Sequence, residues 1–128
     1  MKKGVKGLKG KLDEVFSEYI RRRSADFGGY VRCVCCGKTY HWKEIQNGHY
    51  NTRSKLSTRF DERNCHPCCV SCNVFKNGNY PAYTKYLLDN YGEKWLKELI
   101  ADGEKTAKYT EKDYQDKINE YVEKLKTL

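Results

Sequence analysis

With 128 residues, 33% of them charged and a mean hydropathy of −0.93, the chain has room for one domain with a thin core. No run of about 18 apolar residues exists, which excludes a membrane-spanning helix. The lysine-rich start MKKGVKGLKGKLDEVF lacks the apolar stretch of a secretion signal. The expected location is therefore the cytoplasm, where clustered cysteines bind metal more often than they pair. The seven here, an odd number, do not suit a pure disulfide framework.

A net charge of +8 points to a polyanionic partner. The charge is uneven. Residues 1–23 carry eight Lys/Arg against three acids and residues 24–92 nine against five, whereas residues 93–128 carry eight against nine. A DNA footprint is expected on the first two thirds.

Residues 1–10 (MKKGVKGLKG) read as a flexible basic arm. From Lys11 to Arg23, Leu12, Val15, Phe16, Tyr19 and Ile20 recur at helical spacing. The terminal Arg21, Arg22 and Arg23 suit the negative end of that helix and equally a phosphate. Phe27-Gly28-Gly29 breaks the pattern. Residues 30–79 hold only short strand-like runs, Tyr30-Val31-Arg32 and Tyr40–Ile45, and a short helix from Cys69 to Asn77-Gly78. A helix is predicted from Pro81 to Gly92 and another over Glu93–Ile100. Thr110 to Asp113 resembles a capping box opening a last helix. The fold class expected is α+β: a basic arm and helix over 1–26, a zinc-bound centre over 27–80, and C-terminal helices over 81–128. Those last helices are also the candidate interface for a homodimer.

Two Cys-x-x-Cys pairs, Cys33/Cys36 and Cys69/Cys72, are separated by 32 residues. A two-residue gap lets one tight turn aim both thiolates at a single metal, and two such turns make a closed tetrahedral structural zinc site. Gly37 and Asn73, each following a second cysteine, tolerate the left-handed backbone such turns often use. The overlapping Cys65-His66-Pro67-Cys68 ranks lower, because Pro67 removes an N–H the turn would use. Cys35, Cys65 and Cys68 then read as small buried side chains. An iron–sulfur cluster on four cysteines is the lesser alternative.

Between and after the knuckles stand Gly48-His49-Tyr50, Asn64-Cys65-His66 and Asn73. A His, an Asn and a further His or Asn around a zinc knuckle is the layout of a ββα-metal nuclease. A neutral imidazole can take a proton from water. A divalent ion, Mg²⁺ or Mn²⁺, stabilises the charge developing on a phosphodiester. Asn73, His49 and His66 are the candidate ligands of that ion. Asn64 would hold either the loop or the imidazole. His41, beside Trp42, has no motif partner and reads as structural. Arg53, Lys55, Arg59, Arg63 and Lys76 are candidate phosphate contacts with Arg21, Arg22 and Arg23, while Asp61 and Glu62 read as their salt-bridge partners. A non-catalytic zinc-ribbon DNA-binding module accounts for the cysteines and the charge, but not for the order of His49, Asn64 and Asn73.

The run from Cys33 to Gly92, with its C-x-x-C-G and C-x-x-C-Asn knuckles, its GHY and its Arg-Phe-Asp-Glu-Arg-Asn-x-His, resembles the NinG family of lambdoid phages, also called Rap. The resemblance covers about residues 27–100. It implies an HNH-like recombination endonuclease, phage or prophage encoded, that cuts branched DNA including Holliday junctions. Endonuclease VII of tailed phages is similar in its four-cysteine zinc plan and in the Asn after the last cysteine. There the Asn is a magnesium ligand, which implies that role for Asn73. The chain departs from both patterns at one point: Gln46 and Gly48 stand where a carboxylate is found in those relatives. This leaves His49, His66 or backbone as the metal's first ligand.

Overall fold

The computed structural model describes residues 4–128. The first helix, α1, spans Val5–Arg22, so Val5 to Gly10 are helical and not an extended arm; the start of the expected arm, residues 1–3, lies outside the described residues. The reason is the apolar stripe. Leu8 is buried on the same face as Leu12, Val15, Phe16 and Ile20, which carries the helix one turn past the two glycines.

That stripe packs on the last helix, α5 (Glu111–Lys126), through Tyr114, Ile118 and Tyr121. The Phe16 ring meets Tyr121 edge-on at 4.9 Å, and Phe60 closes the same cluster. The expected capping box opens α5: Thr110 accepts from the Asp113 N–H, and the Asp113 carboxylate accepts from the Thr110 N–H. The other two helices, α3 (Tyr80–Tyr91) and α4 (Glu93–Gly103), bury Tyr83, Leu87, Leu96 and Leu99 together with Cys68.

Four short strands form two antiparallel ribbons. Strands β1 (Tyr30–Arg32) and β2 (Thr39–His41) pair with Val31 opposite Tyr40. Strands β3 (Gln46–His49) and β4 (Cys65–Cys68) pair with Gly48 opposite His66 and His49 opposite Cys65. Their connection holds α2 (Leu56–Arg59) and a 3₁₀ turn at Glu62–Asn64. After β4 comes a wide turn of helix, Ser71–Phe75, which stops at Asn77 and Gly78 with positive φ. The molecule is thus a mixed α and β fold. No helix among the described residues is long and apolar enough to cross a membrane.

Candidate metal centre and adjoining cleft

The thiol sulfurs of Cys33, Cys36, Cys69 and Cys72 all lie within 4.8 Å of one another, positioned to bind one metal ion. The knuckle turns are closed by Gly37 N–H to Cys33 C=O at 2.9 Å and Asn73 N–H to Cys69 C=O at 2.8 Å. Gly37 has φ +78°, as expected, but Asn73 does not take the left-handed conformation. Its knuckle runs straight into the helical turn, and the positive φ values come later, at Asn77, Gly78 and Asn79. Cys33, Cys36 and Cys72 do not ionise alike. Hydrogen bonds from Cys35 and then Cys68 hold Cys33 far below the usual thiol range, while burial pushes Cys36 up and Cys72 up to about 12. A divalent cation would bring them all to thiolate.

The remaining cysteines stay out of this set. Cys65 and Cys68 are fully buried, and Cys68 lies 4.0 Å from the Cys35 sulfur. Cys68 also explains Gly48: a Cβ there would collide with the Cys68 sulfur.

On one side of the β3–β4 ribbon a cavity of about 620 Å³ is lined by Gln46, Asn47 and His49 from β3, Asn73 behind the metal ligands, and Asp13 and Glu14 from α1. Arg21 and Arg53 stand at its edge. His49 Nε2 lies 2.9 Å from the carbonyl oxygen of Arg59. A carbonyl can only accept, so Nε2 carries the proton and Nδ1 keeps its lone pair. Burial first, then the nearby Arg53 and Arg59 charges, hold the His49 pKa below its ordinary 6.5, against the opposing carbonyl contact and Asp13. Asn73 Nδ2 donates to Gln46 Oε1 at 2.8 Å, which leaves Asn73 Oδ1 uncommitted among the described residues. Asn47 Oδ1 is buried with no hydrogen-bond partner among the described residues. Asp13 gives both carboxylate oxygens to Arg59 and Arg53, so the oxygen groups the cavity offers to a ligand are Glu14, Asn73 Oδ1 and Asn47 Oδ1.

Asp13 and Glu14 were not legible as site residues. In the sequence they are two polar positions on an amphipathic helix more than thirty residues from His49, and no local spacing links them to it.

His66 is not brought to this cleft. Adjacent residues of a strand point to opposite faces, and His49 sits opposite Cys65, so His66 belongs to the other side of the ribbon. There it is 3% exposed, its Nδ1 lies 2.9 Å from the Tyr83 hydroxyl, and burial, aided by Arg23, lowers its pKa to about 3.

Asn64, fully buried, holds the loop and not the imidazole. Its Oδ1 accepts from the Asn51 N–H at 2.6 Å, and its Nδ2 donates to the carbonyls of Asn51 and Thr58. His41 packs against Tyr30 and Trp42.

Several of the basic residues are committed to intramolecular partners. Arg59 pairs with Asp13, Arg63 with Asp61 and Asp102, Arg23 with Glu62, Lys55 with Glu104 and Arg22 with Glu18. Arg21 donates to the Trp42 carbonyl. Arg53, although paired with Asp13, keeps 60% of its side chain exposed, and Lys76 is exposed.

The model of the family described as Bacteriophage Lambda NinG protein matches residues 2–128. Protein ninG of Salmonella phage P22 is 34% identical over 116 residues, covering 90% of this chain and 54% of that protein. Protein ninG of Escherichia phage lambda is 32% identical over 116 residues, with 90% and 54% covered. That of Escherichia phage 933W is also 32% identical, with 90% and 55% covered. The chain spans about half the length of these curated relatives. No solved structure matches it. By the near-complete family match and by these identities, the chain belongs to the NinG family of bacteriophage proteins.

Proposed function

We propose that this chain is an HNH-type (ββα-metal) DNA endonuclease, stapled by zinc on Cys33, Cys36, Cys69 and Cys72, that hydrolyses phosphodiester bonds of branched DNA during phage recombination in the host cytoplasm. The observation that carries the reading is the His49 imidazole, its Nε2 fixed on the Arg59 carbonyl and its Nδ1 without a partner among the described residues, in a cavity that Asn73 and Glu14 also line. A neutral imidazole held in one tautomer can take a proton from an attacking water at Nδ1. Asn73, with Glu14, would hold a Mg²⁺ or Mn²⁺ ion. Such an ion supplies positive charge to the scissile phosphate and the leaving oxygen. Arg53, which lines the cleft and keeps 60% of its side chain exposed, orients the phosphate. The β3–β4 ribbon followed by the Ser71–Phe75 turn supports the ββα reading, since His49 stands on a strand and Asn73 on the helical turn that follows. Most contacts to DNA are then to phosphates, which gives selection by structure with weak sequence preference. A homodimer would match the two-fold symmetry of a four-way junction.

The test is nicking of a four-way junction and of plain duplex, with and without Mg²⁺. The wild type should nick the junction only with the metal. His49→Ala should lower the rate about 10²–10⁴-fold while keeping zinc content and junction binding. Binding without nicking under any divalent ion would favour the non-catalytic zinc module instead.

A further inference from the structure

A second cavity, of about 700 Å³, opens on the other face of the β3–β4 ribbon. Its lining includes the rings of His66, Tyr86, Tyr91 and Trp95. Tyr91 and Trp95 stack on each other with centroids 4.2 Å apart and planes 15° from parallel, and Tyr91 is 45% exposed. Such a pair is a flat apolar platform facing solvent, the kind of surface on which a planar heterocycle stacks.

The hydrogen bonding around His66 fixes what the cavity wall can recognise. The Tyr83 hydroxyl donates to the Gly48 carbonyl at 2.8 Å. Having spent its one proton there, its oxygen can only accept from His66, so His66 Nδ1 carries the hydrogen. Nε2 is therefore a bare acceptor. It has no partner among the described residues, although the side chain is 3% exposed and its ring lines the cavity. An acceptor held in one tautomer on a cavity wall can take an N–H from a ligand that enters.

The rim supplies positive charge. Arg23 and Arg63 are paired with carboxylates, but Arg32 has none near it among the described residues; its Nε donates only to the Gly37 carbonyl, and its side chain is exposed. A stacking platform, an N–H acceptor and a free guanidinium at one opening match the three parts of a nucleotide: the flat base, its amino or imino N–H, and its phosphate.

We propose that this cavity captures one unstacked nucleobase with its phosphate, the base lying on the Tyr91–Trp95 platform and giving an N–H to His66 Nε2, with Arg32 on the phosphate. The proposal rests on the nucleic-acid part of the reading above but not on its chemistry, since the cavity and the His49 cleft occupy opposite faces of the ribbon. Every one of the four bases carries an N–H donor, so the site recognises an unpaired base as such and not its identity. The base belongs either to a DNA strand at a branch point or to a free mononucleotide.

The probes are a short single-stranded oligo(dA), an abasic strand of equal length, and dAMP, with zinc-loaded protein in metal-chelated buffer that removes Mg²⁺ but not the tightly held zinc. Wild-type protein should bind oligo(dA) about tenfold or more tighter than the abasic strand. Tyr91→Ala should erase that ratio and leave abasic binding unchanged, Tyr91→Phe should restore it, and Arg32→Ala should weaken both strands. Tyr91 is exposed at a helix end, so these variants fold. Competition by dAMP at concentrations comparable to oligo(dA) assigns a free nucleotide, and competition by the strand alone assigns DNA. Equal binding of both strands by the wild type, or an unchanged ratio in Tyr91→Ala, overturns the proposal. Neither result touches nicking, which depends on His49 and is read separately.

Discussion

Asp13, in the middle of α1, grips Arg59 with both carboxylate oxygens, Oδ1 to Nε at 3.0 Å and Oδ2 to Nη2 at 2.6 Å. The carbonyl of the same Arg59 receives His49 Nε2. An acid in the first helix thus anchors the residue that fixes the proposed base. Asp13→Asn should lower stability by about 1–3 kcal/mol and, by loosening the imidazole, slow nicking by up to about 100-fold. Urea unfolding and single-turnover nicking measure the two separately. Full activity in a destabilised Asp13→Asn protein would show that the pair is a structural clamp only.

Metal removal is expected to unfold the centre, because the cluster of Val31, Ile45, Cys33, Cys69 and Cys72 is small and built around the ligands themselves. Elemental analysis should give one zinc per chain. Cys72→Ser should abolish it, and Cys65→Ala should keep it at a modest cost in stability. Iron in place of zinc would overturn the assignment.

Acid should destabilise the fold earlier than its carboxylates alone would dictate. His66 and His49 are held neutral by burial, His66 with a pKa near 3, so below 6.5 the unfolded chain binds protons that the folded chain refuses. Stability is complete above pH 6.5 and falls as the pH drops through it, by about 1.4 kcal/mol per pH unit for His66 alone. Unfolding of zinc-loaded protein over the first unit below pH 6.5 checks this, and His66→Gln should flatten the slope. In nicking, the acid limb should lie below 6.5, since His49 keeps its lone pair there.

Gly48 should not tolerate a side chain. Gly48→Ala places a methyl against the Cys68 sulfur, 2.8 Å from Cys68 Cβ and 3.3 Å from the His66 carbonyl oxygen. A loss of about 1–3 kcal/mol is expected from such overpacking. Cys68→Ala in the same chain should recover part of it, measured by thermal unfolding.

The four cysteines of the candidate metal site were legible because a knuckle is local: two residues of spacing and a following Gly or Asn describe it. The helices from Tyr80 onward were legible for the same reason, through Pro81, Gly92 and the Thr110 box. The cleft was only half legible. His49 and Asn73 announce themselves by their neighbours, whereas Asp13 reaches the site through the packing of α1, which no spacing records. Reading His66 with His49 failed on parity. Along β4, His66 adjoins the residue facing His49, and a step of one residue in a strand reverses the face.

The packing of α1 on α5 joins the two ends of the chain. Asp13 is set in place by a helix whose apolar stripe is covered by Tyr114, Ile118 and Tyr121. A chain that has formed its cysteine knuckles but not docked residues 111–126 lacks the support beneath Asp13 and, through Arg59, His49. If His49 is the base, as proposed, cutting waits on the docking of residues 111–126 against α1 and not on the metal centre alone.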